Sequence, residues 1–241
     1  MNSKKSKAIY VITVLALALI LNEASYMIGR LFGHSLPHMD MTLPFDLIIP
    51  CIPVTVALYF VSFFIWLIFY SIIIGWEGWD PQLTEPYTVE NFLSTNNRGR
   101  FLAADAVAKL ICFLFFVFLP TTAIRPEVGG DTIWDTLMVF LYQIDPADNL
   151  FPSLHCLISW MCWIGLRWRR DIHPVMRHLP LIVAILICIS TLTTKQHVIL
   201  DVFGGIFFAE FSWWIAGIPK VRRLYEKPVG KLLNSLVSRT R

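Results

Sequence analysis

"FPSLHCLISWMCWIGLRW", residues 151–168, begins as a turn and continues as a membrane helix. Pro152 and Ser153 suit a helix start, where a fixed φ and a capping hydroxyl belong. Beyond His155 the chain stays apolar as far as Arg167, and Trp168 stands where an interfacial tryptophan is expected. An ionisable residue inside such a segment is expensive and marks a site by default. What matters next is whether the rest of the chain is a membrane protein, and whether anything meets His155.

The 241 residues are 56% hydrophobic and only 15% charged, with a mean hydropathy of +0.62. A soluble domain is about one quarter charged, so the composition excludes an ordinary water-soluble globule. The five cysteines (Cys51, Cys112, Cys156, Cys162 and Cys188) lie in apolar runs without a CxxC pair, and read as small buried hydrophobes. The hydropathy pattern predicts six spans, at 8–31, 46–75, 101–120, 153–168, 178–194 and 197–218. Lys4, Lys5 and Lys7 followed by an apolar run are also the start of a signal peptide, but "NEAS" is a weak cleavage site, so the first segment is read as an uncleaved span. The stretch 132–144 is apolar on one side and too short to cross, which predicts an interfacial or re-entrant helix. Trp76, Trp79, Trp168, Trp213 and Trp214 fall at span ends. The expectation is an all-α, six-helix membrane bundle forming one domain over residues 1–241.

Threading six crossings with the N-terminus inside puts Lys4, Lys5, Lys7, Arg98, Arg100, Arg167, Arg169, Arg170, Arg177 and the basic tail from Lys220 to Arg241 on one side. That excess marks the cytoplasmic face. "RWRR" at 167–170 is then a topology signal, and no nucleic-acid partner is expected. Only Arg30, Arg125 and Lys195 remain outside. Arg30 is read as snorkelling from the end of the first helix.

Three stretches converge on that outer side: "TTAIRPE" (121–127), "FPSLH" (151–155) and "STLTTKQHVILD" (190–201). His197 and Asp201 are four apart and share a face at a helix start. A carboxylate beside an imidazole fixes its tautomer and raises its basicity, which suits a nucleophile or base. His155 is placed to protonate a leaving oxygen. Arg125 offers a planar fork for phosphate, and the helix start at Pro152–Ser153 favours an anion. This set suggests phosphoryl transfer without metal or other cofactor. His34 and His38 have a spacing a metal could use, but no carboxylate cage accompanies them. Glu127, Asp131, Asp135, Asp145 and Asp148 read as solvated loop acids.

The order Arg-Pro, then Pro-Ser-x-His, then Ser, His and Asp resembles the phosphatidic acid phosphatase type 2 superfamily of membrane lipid phosphatases. Arg125 and Pro126 match the end of its first motif, Pro152, Ser153 and His155 its second, and Ser190, His197 and Asp201 its third in register. The chain departs from the pattern at Phe118, Leu154 and Thr191, where the family has lysine, glycine and arginine. "PSLH" with "STLTTKQH" is more like the branch that includes inositol phosphorylceramide synthases. The resemblance implies His197 as nucleophile, Asp201 as its orienting acid and His155 as leaving-group acid. Arg125, Ser153 and Ser190 are the expected phosphate ligands, with Lys195 compensating for the cation lost at 191. It implies an integral enzyme of the cell membrane acting on a lipid phosphate of the phosphatidate or isoprenoid type, with its site on the extracytoplasmic side. Head-group transfer is the alternative, and a transporter or an inactive relative are the rival readings.

Overall fold

The computed structural model describes residues 3–76, 88–129 and 131–239. Trp79, expected at an interface, falls outside them, as do the last two residues of the tail. The described chain is mostly helical, in the order α1 (Ser3–Gly33), α2 (Pro44–Ile48), α3 (Val56–Gly75), α4 (Val89–Ser94), α5 (Arg98–Phe118), α6 (Ile133–Ile144), α7 (Leu154–Leu166), α8 (Pro174–Thr193), α9 (Ile199–Ala216) and α10 (Pro219–Arg239). Two short strands, β1 (Met39–Asp40) and β2 (Thr121–Thr122), pair in parallel with Met39 opposite Thr121. They pin the chain leaving α1 to the chain leaving α5.

Among the described residues, five helices are long and apolar enough to cross a membrane: Lys5–Gly33, Pro53–Gly75, α5, α8 and α9. The sequence expectation of one span over 46–75 resolves into two pieces, because Pro50 and Pro53 cannot donate to a helix ladder. Residues 44–48 form the separate α2, and a 3-10 turn at Pro53–Thr55 leads into α3. The segment expected to span at 153–168 is also shorter than predicted. Its helix α7 has 13 residues, roughly 20 Å at 1.5 Å per residue, against about 30 Å of hydrocarbon. Most of its side chains are buried, and it packs against α8, α9 and α3.

The stretch expected to form an interfacial or re-entrant helix is the 12-residue α6. Thr132 Oγ1 accepts from the Asp135 amide at 3.2 Å, and Asp135 accepts the Thr132 amide at 3.0 Å, which closes a capping box. Met138 and Leu141 on its apolar side pack on Val56 and Tyr59 at the start of α3. The tail, read from sequence only as a basic stretch, is the helix α10. Its buried Val229, Leu233 and Val237 recur four apart, face the bundle and join its main core, while the basic residues take the other sides.

Within the bundle, α5 lies between α1 and α9. Lys109 on α5 donates to Asp105 at 2.8 Å and to the Ala18 carbonyl at 2.8 Å, and Tyr70 donates to the other Asp105 oxygen at 2.6 Å. Lys109 and Asp105 therefore form a hydrogen-bonded ion pair that joins α1, α3 and α5. One end of the bundle gathers arginines: Arg100 donates to the Trp213 carbonyl at 2.9 Å, Arg167 pairs with Glu210 at 2.5 Å, and Arg169 donates to the Trp76 carbonyl at 2.9 Å. The three stretches carrying Arg125, His155 and His197 meet at the opposite end.

Candidate functional site

The turn between α8 and α9 is built from its backbone. Lys195 takes a left-handed φ of 54°. The amides of Gln196 and His197 then both donate to the Thr191 carbonyl, at 3.0 and 3.1 Å. Val198 caps α9, and Asp201 at the third helical position accepts the Val198 amide at 2.9 Å through Oδ2. That same oxygen lies 3.3 Å from His197 Nδ1. One fully buried carboxylate thus starts the helix and orients the imidazole. Burial pushes His197 towards its neutral form, but the Asp201 hydrogen bond and charge outweigh it and hold the imidazole above the ordinary histidine range.

His155 arrives on the first turn of α7. Ser153 caps that turn, its hydroxyl accepting the Cys156 amide at 3.3 Å, while its own amide donates to the Asp201 carbonyl at 3.1 Å. The start of α7 is thereby tied to the start of α9. The approach is close because Gly205 has no side chain: a Cβ there would sit 2.6 Å from the Ser153 carbonyl oxygen. The His155 ring stacks on Tyr59 at 4.0 Å between centroids, with Phe63 and Trp66 at 5.5 and 5.1 Å. Its centroid is 6.1 Å from that of His197. His155 Nε2 is buried and finds no partner among the described residues. The two histidines border one cavity of about 200 Å³, with Tyr26, Tyr59 and Asp145 on its polar wall.

Asp145 is the residue that sequence reasoning missed. Read as a solvated loop acid, it is instead half-buried at the end of α6, where Tyr26 donates to Oδ1 and Tyr59 to Oδ2 at 2.6 Å. Burial raises its pKa, but the two phenols and the nearby histidines more than offset this and keep it below the ordinary carboxylate range. Tyrosines near the ends of two apolar spans were the signal available. Asp148, read likewise as solvated, pairs with Arg30 at 2.7 Å, so Arg30 is bonded rather than simply snorkelling. Asp135 is the capping residue described above.

The expected phosphate ligands are placed differently from the histidines. Arg125 stands just behind Asp145. It donates to the Asp145 carbonyl at 2.7 Å and to Gln196 Oε1, and lies 4.8 Å over the Tyr142 ring. Lys195 is turned away from the cavity between the histidines. Its ammonium donates to the Asp46 and Ile49 carbonyls at 2.7 and 2.6 Å. It borders a second cavity of about 410 Å³, which also touches His197 and lies under the loop after α2. Ser190 is fully buried beneath the turn, and its hydroxyl has no partner among the described residues. Phe118, at the family's lysine position, is exposed at the end of α5. Thr191 is buried and donates to the Cys188 carbonyl at 2.8 Å.

Among the described residues, no three of His, Cys, Asp and Glu come together as a metal-holding group. The arrangement offers one imidazole backed by a carboxylate, a second imidazole across a small cavity, and an arginine one layer behind. In comparisons with known proteins, the chain matches no family model, no curated protein and no solved structure.

Proposed function

We propose that this chain is an integral membrane enzyme that cleaves a phosphate ester of a lipid through a phosphohistidine at His197. The observation that carries the reading is the convergence of His197, backed by Asp201 at 3.3 Å, with His155 at 6.1 Å between ring centroids. They come from separate stretches and meet around a cavity at one end of apolar helices. In the first step His197 Nε2 attacks phosphorus, the N–P bond forms and the P–O bond to the lipid breaks. His155 gives its proton to the departing oxygen. Asp201 stabilises the imidazolium through Nδ1–H. Water then attacks phosphorus from the vacated side and yields a proton to His155, the N–P bond breaks and inorganic phosphate leaves. Arg125, held beside Asp145, and the start of α7 supply positive potential for the charge spread over the phosphoryl oxygens. On this reading α7 is a sixth crossing, covered by its neighbours so that little of it meets lipid. The arginine-rich end faces the cytoplasm, and the site lies at the extracytoplasmic interface of the cell membrane.

One observation favours a second reading, head-group transfer. Among the described residues no Lys or Arg lines the cavity between the histidines, whereas Glu23 and Asp145 do. A dianionic monoester suits such a wall less well than a singly charged phosphodiester. An acceptor hydroxyl would then take the place of water in the second step.

The test is phosphate release by purified protein from a panel of lipid phosphates, repeated with phosphodiester lipids and alcohol acceptors. His197→Ala should abolish turnover in every assay. His155→Ala should lose about 100-fold on lipid esters and far less on an activated aryl phosphate, whose leaving group needs no proton. Turnover that persists in His197→Ala sinks the mechanism.

A further inference from the structure

At the arginine-rich end of the bundle, a cleft of about 810 Å³ opens between α4, the first turn of α5 and α10. Arg100 on α5 and Arg222, Arg223, Lys227 and Lys231 on α10 border it, against only two acids among the described residues, Glu90 and Glu226. Both acids are already engaged. Glu226 meets Arg222 at 3.5 Å, and it lies so close to the start of α5 that its Oε1 leaves no room for a Cβ at Gly99. Glu90 stands in the first turn of α4, where the helix dipole favours a carboxylate. Among the described residues, no carboxylate pairs with Arg223, Lys227 or Lys231.

These three cations recur every fourth residue, so they form one row along α10. Like charges at that spacing repel and cost helix stability. The row is roughly 12 Å long at 1.5 Å per residue. Val229, Leu233 and Val237 hold α10 to the bundle from its buried side, which keeps the row beside the cleft. Arg100 is fixed on the α5 wall, with its guanidinium 4.0 Å over the Trp213 ring and Nη2 donating to the Trp213 carbonyl at 2.9 Å. One phosphate is too small to serve a row of that length and an arginine on another wall. Several phosphates on one molecule serve both.

The rim of the cleft says how such a molecule arrives. Leu224 lies three and seven residues before Lys227 and Lys231, on the same helical face, and is 77% exposed. The apolar helix α9 ends at Ala216 with Trp214 66% exposed, and α10 begins at Pro219. The cleft therefore sits at the depth where a span meets head groups. A basic cleft with an apolar lip at that depth complements a lipid, whose phosphates enter the cleft while its chains lie beside Leu224.

We infer that the cleft between α4, α5 and α10 binds the head group of a membrane lipid that carries clustered phosphates. The site is separate from the histidine cavity at the other end of the bundle, and it stands whether or not the chain is an enzyme.

The experiment measures lipid binding to the purified full chain by native mass spectrometry. The probes are phosphatidylcholine, phosphatidylglycerol and a bisphosphorylated inositol lipid of equal chain length, and the soluble inositol trisphosphate that lacks chains. The bisphosphorylated lipid should bind at least about 25-fold more tightly than phosphatidylglycerol, and Lys227→Gln with Lys231→Gln should remove that preference, about fivefold for each cation. Lys227→Arg with Lys231→Arg should retain it, which separates charge from folding. Arg170→Gln, an exposed cation at the same end but outside the cleft, and His197→Ala should both leave it intact. Equal binding of the three lipids, or a preference that survives the double glutamine variant, overturns the inference. A preference lost in His197→Ala places the lipid in the histidine cavity and overturns it too. Inositol trisphosphate bound as tightly as the lipid overturns the assignment to a lipid.

Discussion

Asp201 is asked to do two things with one oxygen, and a single substitution separates them. Asp201→Asn keeps an acceptor for the Val198 amide but removes the charge that holds His197 above the ordinary histidine range. A nucleophilic imidazole must be neutral, so in the wild type kcat/KM should rise with pH as His197 loses its proton, with a midpoint above the ordinary value. In Asp201→Asn that limb should move to lower pH, and the plateau should fall because the tautomer is no longer enforced. A pH profile of kcat/KM for the two proteins checks this, and an acid limb that stays in place counts against Asp201 as the partner of His197. The spacing of His197 and Asp201 was legible in the sequence because both lie on one helical turn, where separation along the chain translates directly into a shared face. Asp145 was not. Its partners Tyr26 and Tyr59 are 119 and 86 residues away, and local polarity around "IDPADN" gives no hint that the carboxylate folds inward.

Among elements, the contact of α7 with α9 depends on Gly205. A methyl group there meets the Ser153 carbonyl at 2.6 Å and the Leu157 amide nitrogen at 3.1 Å. Both are backbone atoms, which cannot rotate aside. Gly205→Ala should therefore push the helices apart, cost about 1–3 kcal/mol of stability as an overpacked contact, and separate His155 from His197. Thermal unfolding and phosphate release should fall together. The pair on α5 behaves differently. Lys109→Met leaves the Asp105 carboxyl, 1% exposed, without its cation, which should cost about 3–5 kcal/mol. Adding Asp105→Asn should recover much of that loss in thermal unfolding, since a neutral amide needs no counter-ion. Most helices were readable from hydropathy alone, and their edges followed prolines, as at Pro53 and Pro120. The length of α7 was not readable, because an apolar run reports burial in lipid and burial in protein alike. The helix α10 was overlooked for the opposite reason: its apolar residues are few, and only their fourfold spacing marks a buried stripe.

For the molecule as a whole, the distribution of charge becomes a statement about sides. Arg100, Arg167 and Arg169 gather at one end, and the histidine pair at the other. In a background without native cysteines, Glu127→Cys and Arg170→Cys are both exposed positions at opposite ends. An impermeant thiol reagent applied to intact cells should label the first and spare the second; labelling of the second alone would put the histidines in the cytoplasm. The chain order of the three converging stretches was legible from alternation of spans. The roof over them was not, because it depends on Lys195 reaching the carbonyls of Asp46 and Ile49 and on Asp46 Oδ1 accepting the Ile199 amide at 2.7 Å. Residues 43–49 and 190–201 are consequently one portable unit in two pieces. A chimera that receives the 190–201 segment alone would inherit the chemical groups without their mould. Lys195 and Ile199 would lose their acceptors, and the graft should stay inactive until the 43–49 segment is transplanted with it.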